Sequence, residues 1–251
     1  MGYLILVRHG ESRWNIANKF TGWVDVPLSE VGINEALIAG ERLEGIQFDV
    51  GFTSKLKRAQ ETLLLILAKQ DATGIFLHEK GKRKVWSHHK ITKKDHEIPI
   101  YLSSKINERY YGDLQGLNKD AARKKFGKEK VFQWRRSFDI RPPNAESLKD
   151  VCKRSVPYFN KVIMPHVKKG KNVIVAAHGN SLRAIIKYID DISDEEIPNL
   201  ELSYGFPIIY TYQRGKLIKD NHTHSFNRPV HWNKSKGYEN TSKKKKLFKK
   251  K

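Results

Sequence analysis

At 251 residues the chain can bury one sizeable core. Its formal net charge of +21, from 48 Lys and Arg against 27 Asp and Glu, favours anionic partners without choosing between a phosphorylated metabolite and nucleic acid. The one cysteine, Cys152, excludes an intramolecular disulfide and any cysteine-rich metal site.

No apolar run is long enough to span a bilayer, and the start of the chain reads as a strand rather than a cleavable leader. Leu6 stands where a myristoylation signal wants Ser or Thr, so a cytoplasmic protein with no membrane partner is expected. Residues 3–7, Tyr-Leu-Ile-Leu-Val, predict a buried strand running straight into Arg8-His9-Gly10-Glu11-Ser12. Ser29 is placed to cap a helix carrying Ile33, Ala36, Leu37, Gly40 and Leu43 on one face. Asp49 to Thr53 predicts a short strand, and Leu56, Ala59, Leu63, Ile66 and Leu67 recur at the spacing of a second helix. This alternation implies an α/β fold: a single-domain, three-layer α/β/α arrangement around a mainly parallel sheet with right-handed crossovers.

From Glu79 to Glu97 the pattern breaks into a crowd of lysines with Arg83, His88, His89 and His96. It reads as a basic surface insertion; its histidines show no metal-ligand spacing. Helical patterning returns at Asp120 to Phe126. A long helix follows Ser147 with Leu148, Val151, Cys152, Phe159, Val162 and Ile163 inward. A strand over 172–177 then runs into His178-Gly179-Asn180-Ser181, a helix is expected after Asn180, and Phe206 to Tyr212 is the last strand expected. Residues 1–220 read as one catalytic domain. Residues 221–251, ending in lysine runs, read as a disordered, solubilising basic tail. No internal repeat or nucleotide-binding glycine loop is present.

Two apolar strands each ending in His-Gly predict two imidazoles at the carboxyl ends of neighbouring strands, where open α/β sheets place their active sites. An imidazole with one free ring nitrogen is nucleophilic at neutral pH. Gly10 lets the backbone approach an anion, and Arg8 can fork onto phosphate oxygens. A single strand-end histidine could equally be a hydrogen-bonded core residue; the second unit favours phosphoryl transfer, in which fixed cations offset the charge in flight.

Leu6-Val7-Arg8-His9-Gly10-Glu11-Ser12, with Trp14-Asn15 and Phe20-Thr21-Gly22-Trp23, resembles the histidine phosphatase superfamily, and more narrowly its cofactor-dependent phosphoglycerate mutases. The resemblance continues through Thr53-Ser54, Lys57-Arg58-Ala59 and Asn107-Glu108-Arg109-Tyr110-Tyr111-Gly112. It then takes in Gln115-Gly116-Leu117-Asn118-Lys119, Trp134-Arg135-Arg136-Ser137, Glu146-Ser147-Leu148-Lys149-Asp150 and His178-Gly179-Asn180-Ser181-Leu182-Arg183. It spans roughly residues 3–212 apart from the basic insertion. Superfamily phosphatases share the Arg-His-Gly core but usually lack the Asn-Glu-Arg, Gly-Leu-Asn-Lys and Trp-Arg-Arg segments, so the mutase is the expected member.

The resemblance implies that His9 is phosphorylated, with Arg8, Arg58 and His178 around the phosphoryl group and His178 acting electrostatically. Glu108 would be the general acid and base, because moving phosphate between an alcohol and an imidazole requires a proton to be given and taken. Asn15 and the Gly179 amide would donate to the same phosphate, with Asn180 beside them. Arg109, Tyr111, Lys119, Arg135 and Arg136 would anchor the substrate carboxylate, and Ser12, Thr21 and Gly22 would line the entry. Several of these have plainer readings: Asn15 as a turn residue, Arg58 and Arg135-Arg136 as solvated helix positions, Glu108-Arg109 as a surface pair. The implied cycle converts 3-phosphoglycerate to 2-phosphoglycerate through phosphohistidine, primed by 2,3-bisphosphoglycerate and needing no metal. A homo-oligomer is implied as well, with nucleic acid not expected as a partner.

The chain departs from the family pattern at Tyr110, where histidine is usual, and at Ala145. Ser203-Tyr204-Gly205 replaces Pro-Thr-Gly, and the short bridge Arg141-Pro142-Pro143-Asn144 stands where many members carry a longer cover.

Overall fold

The computed structural model describes residues 2–78, 81–87 and 96–220. Residues 79–80 and 88–95 of the basic segment, and the lysine-rich tail from residue 221, lie outside the described residues. In chain order the elements are β1 (Gly2–Arg8), α1 (Arg13–Ile16), α2 (Glu30–Arg42), β2 (Val50–Thr53), α3 (Lys57–Lys69), β3 (Thr73–Leu77), α4 (Lys82–Ser87) and β4 (Glu97–Leu102). There follow α5 (Lys119–Phe126), α6 (Lys128–Arg136), α7 (Leu148–Tyr158), α8 (Met164–Lys168), β5 (Val173–Ala177), α9 (Gly179–Ile189), β6 (Pro207–Gln213) and β7 (Lys216–Lys219).

One seven-stranded sheet runs in the order β3-β4-β2-β5-β1-β6-β7. Its first five strands are mutually parallel, and β6 and β7 add an antiparallel edge. The alternation of side chains along a strand assigns the two faces. Leu4, Leu6, Val173, Val175 and Tyr210 meet Phe159, Ile163, Val167, Leu182, Ile185 and Ile186 on one side. Ile5, Val7, Ile174, Ala176 and Ile209 meet Ala39, Leu43, Leu63, Ile66 and Leu67 on the other. A sheet covered on both faces accounts for the nearly continuous apolar runs of β1 and β5.

Ser29 does cap α2, accepting from the Gly32 N–H, but the inward face is Gly32, Ala36, Ala39 and Gly40; Ile33 is exposed. The long helix that follows Ser147 carries a wider π turn over Phe159–Ile163 between α7 and α8. Pro157 and Pro165, which lack an N–H, lie on either side of that turn. Helix α9 begins at Gly179, so Gly179 and Asn180 lie within its first turn rather than before it as expected. Strands β3 and β4 and helix α6 had no sequence counterpart, and Glu97, grouped by composition with the basic segment, is the first residue of β4.

Register does the positioning. In the β1–β5 pair Arg8 stands opposite Ala177, and the His9 N–H donates to the Ala177 carbonyl at 2.9 Å. The next residue on each strand is therefore a histidine. The loop after β1 then passes against the start of α2 at a distance only glycines permit. A Cβ on Gly32 would lie 2.0 Å from the Glu11 carbonyl oxygen, and one on Gly10 2.2 Å from that of Gly32. Gly32→Ala is expected to destabilise the protein by about 1–3 kcal/mol through this overpacking. A urea denaturation midpoint equal to wild type would contradict the close approach.

Candidate active site

His9 and His178 sit side by side, ring centroids 5.0 Å apart and tilted by 60°. His9 Nδ1 lies 2.6 Å from the Gly10 carbonyl oxygen. A carbonyl only accepts, so Nδ1 carries the proton and Nε2 keeps its lone pair. His178 Nε2 lies 2.7 Å from Ser54 Oγ at the end of β2, and its buried Nδ1 has no partner among the described residues. Burial first, then the positive charge of Arg58, holds both imidazoles well below the usual histidine pKa; Arg8 adds to the effect.

Arg58, in the first turn of α3, is fully buried and donates to the carbonyls of Val24 (3.0 Å) and Gly22 (2.8 Å). Burial brings its pKa down to about 10, so it remains a cation at neutral pH. Arg8 donates to the Leu202 carbonyl at 2.7 Å, leaving a buried Nε without a partner among the described residues. Glu108 Oε1 accepts from the Arg109 N–H (2.6 Å), from Asn180 Nδ2 (2.8 Å) and from the Asn180 N–H (3.3 Å). The Glu108 carbonyl accepts from Trp23 Nε1 and from Arg154, which also pairs with Glu146 and donates to the carbonyls of Lys105 and Asn107. Arg154 thus fixes the Asn107-Glu108-Arg109 loop from α7.

These groups open into a cavity of about 270 Å³. Of the residues singled out from the sequence, Arg8, His9, Asn15, Thr21, Gly22, Arg58, Glu108 and Tyr111 line it, as do Lys119, Arg135, Arg136, Gly179 and Asn180. His178 lies behind them, beside His9. Ser12 does not line the cavity: it is buried, its hydroxyl and N–H both donate to Asn15 Oδ1, and its place is at the start of α1. Arg109 does not line it either. It is fully buried and donates to Tyr111 Oη (3.1 Å) and the Arg135 carbonyl (2.9 Å), holding two lining residues from behind.

Lys19, Phe20, Arg183, Tyr204 and residues 200–202 also line the cavity without having been assigned a site role from sequence. Arg183 had a readable signal, because a helix starting at Gly179 returns to the same face after four residues. The cavity is lined by seven cationic side chains: Arg8, Lys19, Arg58, Lys119, Arg135, Arg136 and Arg183. Lys119 and Arg135 are pushed below their ordinary values by burial, and each is lowered further by neighbouring cations. Tyr111 is pushed up by burial, but Arg109 and its hydrogen bond bring its pKa net down. Among the described residues, His9, Glu108 and His178 present three donor atoms within 4.8 Å of one another, a set that could hold a metal ion.

A family model for the histidine phosphatase superfamily (branch 1) matches residues 4–80 and 84–222, and the chain belongs to that superfamily. The 2,3-bisphosphoglycerate-dependent phosphoglycerate mutase of Methanosarcina acetivorans is 50% identical over 238 residues, covering 88% of this chain and 96% of that one. The enzyme of the same name from Methanococcus vannielii is 48% identical over 212 residues, covering 84% and 90%. Bacillus stearothermophilus YhfR superposes with a TM-score of 0.69 at 23% identity over 87% of this chain and 95% of its own, a likeness of fold.

The lowered histidine pKa values have a direct consequence. The unfolded chain's histidines take up protons near 6.5 while His9 and His178 stay neutral, so the native state loses stability as pH falls below that value. In an NMR titration both imidazoles are expected to remain neutral at about pH 6, with midpoints clearly below those of exposed histidines. Midpoints at or above the ordinary value would contradict the electrostatics described here.

Proposed function

We infer that this chain is a phosphoglycerate mutase, an isomerase that interconverts 3-phosphoglycerate and 2-phosphoglycerate through a phosphohistidine on His9. One observation carries the reading. A buried neutral imidazole with a free Nε2 shares one cavity with four cations: Arg8 and Arg58, whose charges bear on His9, and Lys119 and Arg135, whose charges bear on one another. The first pair suits a phosphoryl group in transfer, and the second suits a carboxylate or a second phosphate.

His9 Nε2 attacks phosphorus in line, and Arg8 and Arg58 offset the charge spreading over the equatorial oxygens. His178 Nδ1, buried and unpartnered, is a hydrogen-bond donor to the same oxygens when Nε2 accepts from Ser54. The Gly179 amide and Asn15 add neutral donors. Glu108 gives a proton to the departing alkoxide or takes one from the attacking hydroxyl. Tyr111, Lys119, Arg135 and Arg136 hold the carboxylate end, and Arg109 acts by fixing Tyr111 and Arg135 from behind. Thr21 and Gly22 face the entrance, and Ser12 holds Asn15.

The site fits 2,3-bisphosphoglycerate as primer: Arg8 Nε, Thr21 Oγ1 and His178 Nδ1 are buried with no partner among the described residues, and the cavity is lined by Arg8, Lys19, Arg58, Lys119, Arg135, Arg136 and Arg183. When bound, that compound supplies the phosphoryl group that charges His9. The arginines supply the positive charge that a metal supplies elsewhere. The field of Arg8 and Arg58, which already lowers both histidine pKa values, also opposes a divalent ion at the His9-Glu108-His178 donor set. Metal-independent catalysis is part of the proposal. So are a cytoplasmic homo-oligomer with phosphoglycerates as its partners, a catalytic domain over 1–220 and a separate basic tail over 221–251. No helix among the described residues is long and apolar enough to cross a membrane.

The test is conversion of 3-phosphoglycerate by the purified protein, with and without catalytic 2,3-bisphosphoglycerate, while inorganic phosphate is followed in the same tube. Primer-dependent conversion with little phosphate released is expected, and unchanged rates after exhaustive chelation. Phosphate release without isomerisation would assign the protein to the phosphatases instead. His9→Ala should abolish conversion, and Glu108→Gln should lower kcat by about 10²–10⁴-fold with the fold intact. A Glu108→Gln enzyme of wild-type rate would remove that residue from the proton transfer.

A further inference from the structure

Tyr204 sits on the cavity wall, half-buried, in a segment tied closely to the end of β1. The Gly205 N–H donates to the Arg8 carbonyl at 3.0 Å, and the Leu202 carbonyl accepts from Arg8 Nη1 at 2.7 Å. Between these two ties the Tyr204 ring lies against the guanidinium, with Arg8 Cζ over the ring 3.8 Å from its centroid. The same ring is 5.9 Å from the His9 ring. One face of Arg8 is therefore covered by an aromatic face, and its buried Nε has no partner among the described residues.

We propose that Tyr204 is a positioning residue that orients Arg8 toward the phosphoryl group on His9 and screens that group from water, so that transfer to an alcohol outruns hydrolysis. The inference rests on the mutase reading and extends it to the choice between two acceptors. A guanidinium held over a ring face keeps its N–H donors in its own plane, directed away from the ring, and the covered face cannot recruit solvent. Gly205 adopts a positive φ of +59°, and a Cβ there would come within 2.8 Å of the Glu35 carbonyl oxygen. The turn that presents Tyr204 is thereby held against α2 as well as against β1.

The lifetime of the phosphohistidine tests this. Wild type, Tyr204→Phe, Tyr204→Leu and Tyr204→Ala would each be charged with labelled 2,3-bisphosphoglycerate and freed of excess. Loss of label to water would then be followed beside the mutase rate, with thermal melts as a check on folding. Phenylalanine keeps the ring and should match wild type. Alanine and leucine, lacking it, should hydrolyse the phosphoenzyme about three- to tenfold faster and raise the ratio of phosphatase to mutase activity by the same factor. They should also weaken inhibition by inorganic phosphate. Leucine preserves apolar bulk, so it serves if alanine melts early. A phosphoenzyme that survives equally long in all four proteins would overturn the role of Tyr204 while leaving the mutase reading in place. A wild-type chain that takes no label on His9 would overturn the reading beneath it.

Discussion

The pairing of β1 with β5 is the constraint on which the site depends. Both strands end in His-Gly, and the parallel register sets Arg8 opposite Ala177 so that His9 and His178 come next, side by side. A one-residue slip would turn every side chain of β1 to the opposite face and carry His9 away from Arg58. The slip is opposed from both sides. Leu4 and Leu6 pack into one apolar layer and Ile5 and Val7 into the other, and a one-residue shift would put Arg8 in the place of Val7 or Tyr3 in the place of Leu4. The chemistry inherits its precision from the core.

Electrostatics follow from that placement. Two imidazoles and two guanidiniums brought together out of water compete for positive charge, and the guanidiniums keep it. Arg58 is held by the carbonyls of Gly22 and Val24, and Arg8 by that of Leu202. The histidines are left neutral, which suits a nucleophile. The Gly10 carbonyl then fixes the ring nitrogen that keeps the proton. Glu108 arrives on a loop whose backbone is clamped by Arg154 and Trp23, so the proposed proton donor is positioned by groups outside the cavity.

The central strands and both His-Gly units were legible because buried parallel strands write continuous apolar runs. The edge of the sheet was not: Gly74 interrupts the short β3, and Pro99 stands between the buried Ile98 and Ile100 of β4, so no continuous apolar run stands out. Ile33 was misread because helical period alone does not say which apolar residues face the core when Gly32, Ala36 and Ala39 allow close packing instead. At the site, most residues of the family pattern do line the cavity. Ser12 and Arg109 are set back from it because they hold Asn15, Tyr111 and Arg135, a distinction between touching and supporting that only tertiary structure draws. Tyr204 reaches the cavity from a segment distant in sequence from the other lining residues, with no local spacing to announce it, whereas Lys19 directly precedes Phe20-Thr21-Gly22.

The neutral His9 with its Nδ1 proton held by Gly10 is the centre of this account, and the nitrogen that bears the phosphoryl group reports on it most directly. The protein would be charged with 2,3-bisphosphoglycerate and the bond located by phosphorus NMR and peptide mapping. Phosphate on Nε2 of His9 is the result expected. Phosphate on Nδ1 of His9, on His178, or on no histidine at all would contradict it.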